Sequence, residues 1–147
     1  HFTETTIISG QRGWERPRPW DTTPEGEEYQ AKETVRFYTM LFSHPAVEAI
    51  TWWDFSDFRA WQGAPAGLVR RDMSPKPAYT ELYKLIKQKW WSNETLTTNS
   101  EGRASGRVFA GDFAVSVEAS GFAEVKQNVQ IQPGKQNELV IVIGKEE

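Results

Sequence analysis

Three groups of residues carry side chains that could do chemistry. The first is Glu4, which sits in Phe2-Thr3-Glu4-Thr5-Thr6, a run of strand-forming residues. A carboxylate closing a strand can act as a nucleophile or a general base; among threonines it can equally be a solvated side chain. The second is Trp53-Asp54-Phe55-Ser56-Asp57-Phe58-Arg59-Ala60-Trp61. Indole rings stack on the apolar C–H faces of sugars, and carboxylates accept hydrogen bonds from sugar hydroxyls. The segment therefore reads either as a sugar-binding wall or as core tryptophans with loop charges. The third is Pro75-Lys76-Pro77-Ala78-Tyr79, which physically is only a helix start.

Composition removes several other chemistries. The 147 residues include no cysteine and two histidines, which excludes a thiolate nucleophile, a disulfide scaffold and a Cys/His zinc site. No metal or cofactor is expected, and His1 and His44 read as structural or solvated. Lys and Arg total 17 against 20 Asp and Glu, for a net charge of −3, so no basic footprint points to nucleic acid. Mean hydropathy is −0.61. No apolar run approaches the ~18 residues of a membrane span, and no basic amphipathic helix points to a membrane surface.

The elements that must position Glu4 and the Trp53–Trp61 segment follow from local signals. Residues 1–8 have strand character, with no charged or apolar leader before them, so they do not form a signal peptide. The chain reads as entered in mid-strand, hence as a piece of a longer protein. Residues 9–22 form a long loop with two Gly, two Pro, Trp14 and Trp20. Thr23-Pro24-Glu25 predicts a helix start, with Thr as N-cap, Pro at the first position and an acid at the positive dipole end. Ala31, Val35, Tyr38, Leu41 and Phe42 supply its apolar stripe, and Ser43-His44-Pro45 stops it. Residues 46–53 predict a second strand, nearly all apolar, as in a strand buried on both faces. Residues 54–73 form another long loop. A second helix starts at Ser74-Pro75-Lys76-Pro77, with Ala78, Leu82, Leu85, Ile86 and Trp90 as its stripe. Strand, helix, strand, helix is two βα units of an α/β protein with a parallel sheet.

All seven tryptophans precede residue 92, and the remainder has a different texture. After the polar break Ser92-Asn93-Glu94 come short β-type runs at 96–98, 104–109, 113–118, 122–127, 129–131 and 138–143. Turn signals at 99–102, Gly111-Asp112, Ser120-Gly121 and Pro133-Gly134 punctuate them. Phe113, Val115 and Val117 alternate with Ala114, Ser116 and Glu118, the pattern of a half-buried antiparallel strand. Residues 92–147 are expected to form a small antiparallel β-sandwich, with Phe109, Phe113 and Phe122 in its core. This domain is expected to pack on residues 1–91 through the second helix or Trp90-Trp91. Asn93-Glu94-Thr95 fits a glycosylation sequon, a triplet frequent by chance.

Taken together, residues 1–91 resemble the carboxy-terminal end of a glycoside hydrolase family 10 barrel, the endo-β-1,4-xylanase family. That family's seventh strand ends in a Thr-Glu pair within an Ile-Thr-Glu-Leu-Asp-like motif, which Phe2-Thr3-Glu4 resembles. Its eighth strand carries Thr-x-Trp-Gly-x-x-Asp-x-x-Ser-Trp, which Thr51, Trp53, Asp57 and Trp61 match. Its last helix opens with Pro-Lys-Pro-Ala-Tyr, identical to residues 75–79. The chain departs from the family at Thr5-Thr6 (usually Leu-Asp), at Asp54 (usually Gly), at Ala60 (usually Ser) and in the long 9–22 loop. The 92–147 segment resembles the transthyretin-like or carboxypeptidase-regulatory-like sandwiches that follow some bacterial members.

The resemblance implies the last two βα units of a TIM-type (β/α)8 barrel acting on a xylan-type polysaccharide by retaining hydrolysis. It makes Glu4 the nucleophile and puts Trp53, Trp61 and Asp57 in the substrate-binding set, with Asp57 bracing the loop that carries the rings. It also implies secretion or attachment to the cell envelope. The family's acid/base Glu lies on the fourth strand, which residues 1–147 do not include, so this chain is expected to hydrolyse nothing alone. Two strands without barrel partners are expected to self-associate. Two other readings stand beside this one: a non-catalytic carbohydrate-binding protein, and a related barrel glycosidase acting on another glycan.

Overall fold

A computed structural model describes residues 1–11 and 20–145. Trp14 lies outside the described residues. The chain divides into two compact units, His1–Lys89 and Trp90–Glu147. Trp90 and Trp91 thus fall in the second unit rather than at the end of the first.

In the first unit the elements are β1 (Phe2–Thr5), α1 (Pro24–Phe42), β2 (Ile50–Trp52) and α2 (Pro77–Lys84). A three-residue 3-10 turn, Trp61–Gly63, lies between β2 and α2, and a π-helical turn, Leu85–Lys89, extends α2. Strands β1 and β2 pair in parallel, Phe2 opposite Ile50 and Thr5 opposite Trp52. Both strands are shorter than the sequence runs suggest. After Thr5 the chain leaves the sheet and bonds to the 64–67 loop instead: the Thr6 hydroxyl donates to the Ala66 carbonyl and the Ser9 N–H to the Pro65 carbonyl.

The start of α1 follows from its cap. Thr23 is extended, its hydroxyl accepts the Gly26 N–H at 3.0 Å, and Pro24 opens the helix. The buried face differs from the apolar stripe. Ala31, Tyr38 and Leu41 are buried as expected, but Phe42 is exposed and Glu27, Gln30 and Thr34 are buried. The reason is what this face meets. The Gln30 amide donates to the carbonyls of Ile7 (2.7 Å) and Gly67 (3.2 Å), so the helix covers backbone rather than only apolar side chains. Elsewhere it meets rings: Tyr38 lies 6.4 Å from Trp52, and Phe37 meets Phe2 edge-on at 6.1 Å. Helix α1 also packs against α2, whose buried face is Ala78 and Leu82, continued by Leu85. Ile86, expected in that stripe, is exposed.

The second unit contains one antiparallel pair, β3 (Gly111–Val117) and β4 (Val125–Ile131), with Phe113 opposite Val129 and Val117 opposite Val125. Phe113, Val115 and Val117 are half-buried and their neighbours exposed, the period-two pattern of the sequence. The only other pairing among the described residues here is the Phe122–Lys145 bridge. The runs at 96–98, 104–109 and 138–143 form no ladder, so the expected five or six strands are not present. No described residue of this unit is buried, and Phe109 is exposed, so the three phenylalanines do not form a closed core. Val142 is 84% exposed. The turn chemistry holds, with Gly102, Gly121 and Gly134 all at positive φ. β-propensity makes a segment extended; it supplies neither a cross-strand partner nor a second sheet to bury it.

Candidate functional site

The parallel pairing brings the C-terminal ends of β1 and β2 together. The Trp53 N–H donates to the Thr5 carbonyl at 2.8 Å, and the Thr5 hydroxyl donates to the Thr51 carbonyl at 2.8 Å. Glu4 and Trp53 therefore stand on neighbouring strand ends, joined through Thr5. The register slips between Phe2 and Thr5, so Thr3 and Glu4 together oppose Thr51. Phe2 faces α1 through Phe37. The extra residue breaks the strict alternation of β1, and Glu4 is exposed, as are Phe2 and Thr3 before it. Glu48 lies at the other end of the strands, 3.2 Å from the His1 ring.

The loop after β2 is held in unusual backbone conformations. Asp54, Arg59 and Gln62 all have positive φ, at 64°, 58° and 57°. Such angles persist in non-glycine residues only where surrounding bonds over-determine them. Three sets of bonds do so. The Asp54 carboxylate accepts the Trp61 N–H, at 3.1 and 3.3 Å from its two oxygens. The Ser56 hydroxyl accepts the Phe58 N–H and donates to the Arg70 carbonyl. Asp57 accepts the Gly67 N–H at 2.8 Å. What the loop presents outward is aromatic: Trp53 is 41% and Trp61 65% exposed, with Phe55 and Phe58 exposed beside them in sequence.

Asp57, placed by the resemblance in the substrate-binding set as the brace of the loop, is only 3% exposed. Besides the Gly67 N–H, its carboxylate is occupied by Lys76, whose Nζ lies 2.8 Å from each oxygen. No sugar hydroxyl reaches it; its contacts are those of a brace. Lys76, fully buried, is the residue that sequence reasoning passed over. Its ammonium also donates to the Ser9 hydroxyl at 2.9 Å. Burial pulls its pKa below the usual lysine value, and the hydrogen bond to Asp57 pulls the other way. The flanking prolines explain the placement. Pro77 bars Lys76 from the helical region and holds it extended (φ −82°, ψ 161°), so α2 begins one residue later. The lysine between two prolines was the available signal.

A second ion pair ties α1 to the same loop. Arg70 makes a fork to Glu27, Nε to Oε1 at 2.8 Å and Nη2 to Oε2 at 2.5 Å. The Glu27 hydrogen bond is the main reason the guanidinium is held above its ordinary pKa. The Thr22 hydroxyl contacts Glu27 Oε1 and Ser9 Oγ, so the two ion pairs meet through Ser9 and Thr22. Two other tryptophans serve the interior. Trp20 is buried against Ala64 and Ala66, with its indole N–H donated to the Gln11 carbonyl. Trp52 packs on Tyr38 and donates to the Ala66 carbonyl at 3.1 Å.

In the second unit an open depression over the hairpin is lined by Asp112, Phe113 and Asn128 among others. Phe113 is the one aromatic ring among these lining residues. Among the described residues no cluster of three or more His, Asp or Glu side chains could hold a metal ion, and no helix is long and apolar enough to cross a membrane. No protein-family model matches the sequence, and no curated protein matches it.

Proposed function

We propose that residues 1–91 are the carboxy-terminal end of a retaining glycoside hydrolase barrel of the endo-β-1,4-xylanase type, acting in a secreted or envelope-attached parent protein. In this reading Glu4 is the nucleophile, and Trp53 and Trp61 form the sugar-stacking surface. The observation that carries it is the juxtaposition of exposed Glu4 and exposed Trp53 at the C-terminal ends of two parallel strands. In βα-barrels the chemistry gathers at that end.

The mechanism needs two carboxylates. One attacks the anomeric carbon and displaces the leaving oxygen, giving a glycosyl-enzyme ester. The second, about 5–5.5 Å away, protonates that oxygen and then deprotonates the incoming water. The ring stacking of Trp53 and Trp61 would hold the sugar while Glu4 attacks. Four carboxylates near the strands are engaged or misplaced for the acid role: Glu27 and Asp57 are buried in ion pairs, Asp54 accepts the Trp61 N–H, and Glu48 is at the far end of the strands. The chain alone is therefore a sugar-binding half-site without turnover, and the second unit is a structural appendage.

The test is xylohexaose titration of the 147-residue chain followed by tryptophan fluorescence, with Trp53→Ala and Trp61→Ala as controls. Saturable binding lost in both variants supports the reading. Binding that survives both variants, or no binding at all, overturns the stacking surface. A purely carbohydrate-binding role would show the same titration, but a mechanism-based fluoroglycoside applied to the longer parent protein would then leave Glu4 unlabelled.

A further inference from the structure

We propose that Asp54 is a positioning residue that fixes the Trp61 ring as a rigid sugar platform. The inference rests on the stacking role proposed for Trp61. Trp61 is 65% exposed and opens a 3-10 turn of only three residues. A ring on so short a turn has little packing to hold it. What holds its backbone is the Asp54 carboxylate, both of whose oxygens lie within 3.3 Å of the Trp61 N–H. A charge-assisted bond of this kind is about twice as strong as a neutral one.

Asp54 itself adopts φ 64°, a conformation natural to glycine and tolerated by Asp and Asn. Glycine would suit the backbone better and would offer no clamp. The aspartate therefore trades local backbone ease for a bond across the loop to the residue that carries the exposed ring. Asp54 immediately follows Trp53, whose N–H is pinned to Thr5. One carboxylate thus couples the two ends of the aromatic segment, and the spacing of the two indoles is preset before any sugar arrives. Preorganisation of this kind raises affinity by removing the ordering cost of binding.

The experiment uses the full chain with Asp54→Gly and Asp54→Asn. Gly keeps the backbone conformation and removes the clamp; Asn keeps both the conformation and one acceptor oxygen. Two quantities are read: hydrogen exchange of the Trp61 backbone amide, and xylohexaose affinity. The expected result is that Asp54→Gly exposes the Trp61 amide to exchange and weakens xylohexaose binding about tenfold, with melting temperature little changed. Asp54→Asn should restore most of both. The proposal is overturned if Asp54→Gly leaves affinity unchanged while Trp61→Ala lowers it; the stacking role of Trp61 would then survive. If the unaltered chain binds no xylohexaose, or Trp61→Ala has no effect, both the platform and its positioning residue fall together.

Discussion

Lys76 Nζ lies 2.8 Å from both carboxylate oxygens of Asp57, in a place solvent does not reach. This pair joins the start of α2 to the loop that carries Trp61. Removing one partner leaves a buried charge with nothing to balance it. Asp57→Ala or Lys76→Met alone should therefore cost about 3–5 kcal/mol in urea unfolding. The double variant Asp57→Leu/Lys76→Met should recover most of that loss, because no unpaired charge remains. Equal losses in the single and double variants would show that the pair is not what stabilises the loop.

Tyr38 gives a pH dependence of defined sign. Its burial raises the phenol pKa above the ordinary 10.0. The folded state thus holds the proton to higher pH than the unfolded chain does. Its contribution is fully present below about pH 10 and is lost as pH rises through the folded-state value. Lys76, with a lowered pKa, works in the opposite direction below 10.5. The difference in stability between the chain and its Tyr38→Phe variant isolates the phenol. The chain should lose stability relative to that variant from pH 9 to pH 11, as read by denaturant unfolding. A difference that is flat with pH would mean the phenol ionises alike in both states.

Gly26 sits in the first turn of α1, where replacing glycine by alanine usually gains about 1 kcal/mol. Here the outcome should reverse. A Cβ at this position would overlap the Ser9 carbonyl and come within 2.9 Å of the Thr23 cap hydroxyl. Ser9 cannot retreat, because its N–H and hydroxyl both bond the Pro65 carbonyl. Gly26→Ala should therefore destabilise by about 2–3 kcal/mol in thermal or urea unfolding, the range of overpacked cores. A stabilised variant would show that Ser9 can move away from the helix.

These cases show which parts of the molecule the sequence could declare. The Thr23 cap, Pro24 and the stop before Pro45 act within a few residues, so α1 was legible to its ends. Its buried face was not: periodicity marks a face without saying what it meets, and Gln30 meets the backbone carbonyls of Ile7 and Gly67. The ring positions divide likewise. Trp53 and Trp61 stand out through their spacing with Asp57, but nothing local separates them from Trp52 and Trp20, which face inward. Lys76 needed Asp57 and Ser9, 19 and 67 residues away, to have a meaning. In the second unit the turns at Gly121 and Gly134 were legible as backbone chemistry. The strands expected at 96–98 and 138–143 were not decided by residue type, because pairing is a property of two segments.

Turnover separates the proposed hydrolase from the half-site. The isolated chain should release no reducing ends from xylan and no aryl alcohol from an aryl xyloside. In the proposed reading Glu4 is the nucleophile, and the displaced oxygen still needs a second carboxylate as its acid. Turnover by the isolated chain that disappears in Glu4→Gln would mean that a second carboxylate of this chain acts as the acid, contrary to the geometry of Glu27, Asp57 and Glu48.

The last expectation concerns the sheet of the first unit. With only β1 and β2 paired, each strand keeps one edge without a ladder among the described residues. Phe2, Met40 and Phe42 add exposed apolar surface to the same unit. Unpaired edges and exposed rings are what sheets bury by pairing with another copy. Light scattering of the 147-residue chain should therefore give a mass above 16.8 kDa that rises with concentration. Replacing Thr3 with proline removes one backbone donor from β1 and should lower that mass. A concentration-independent monomer would show that the free edges are protected by something other than a second copy.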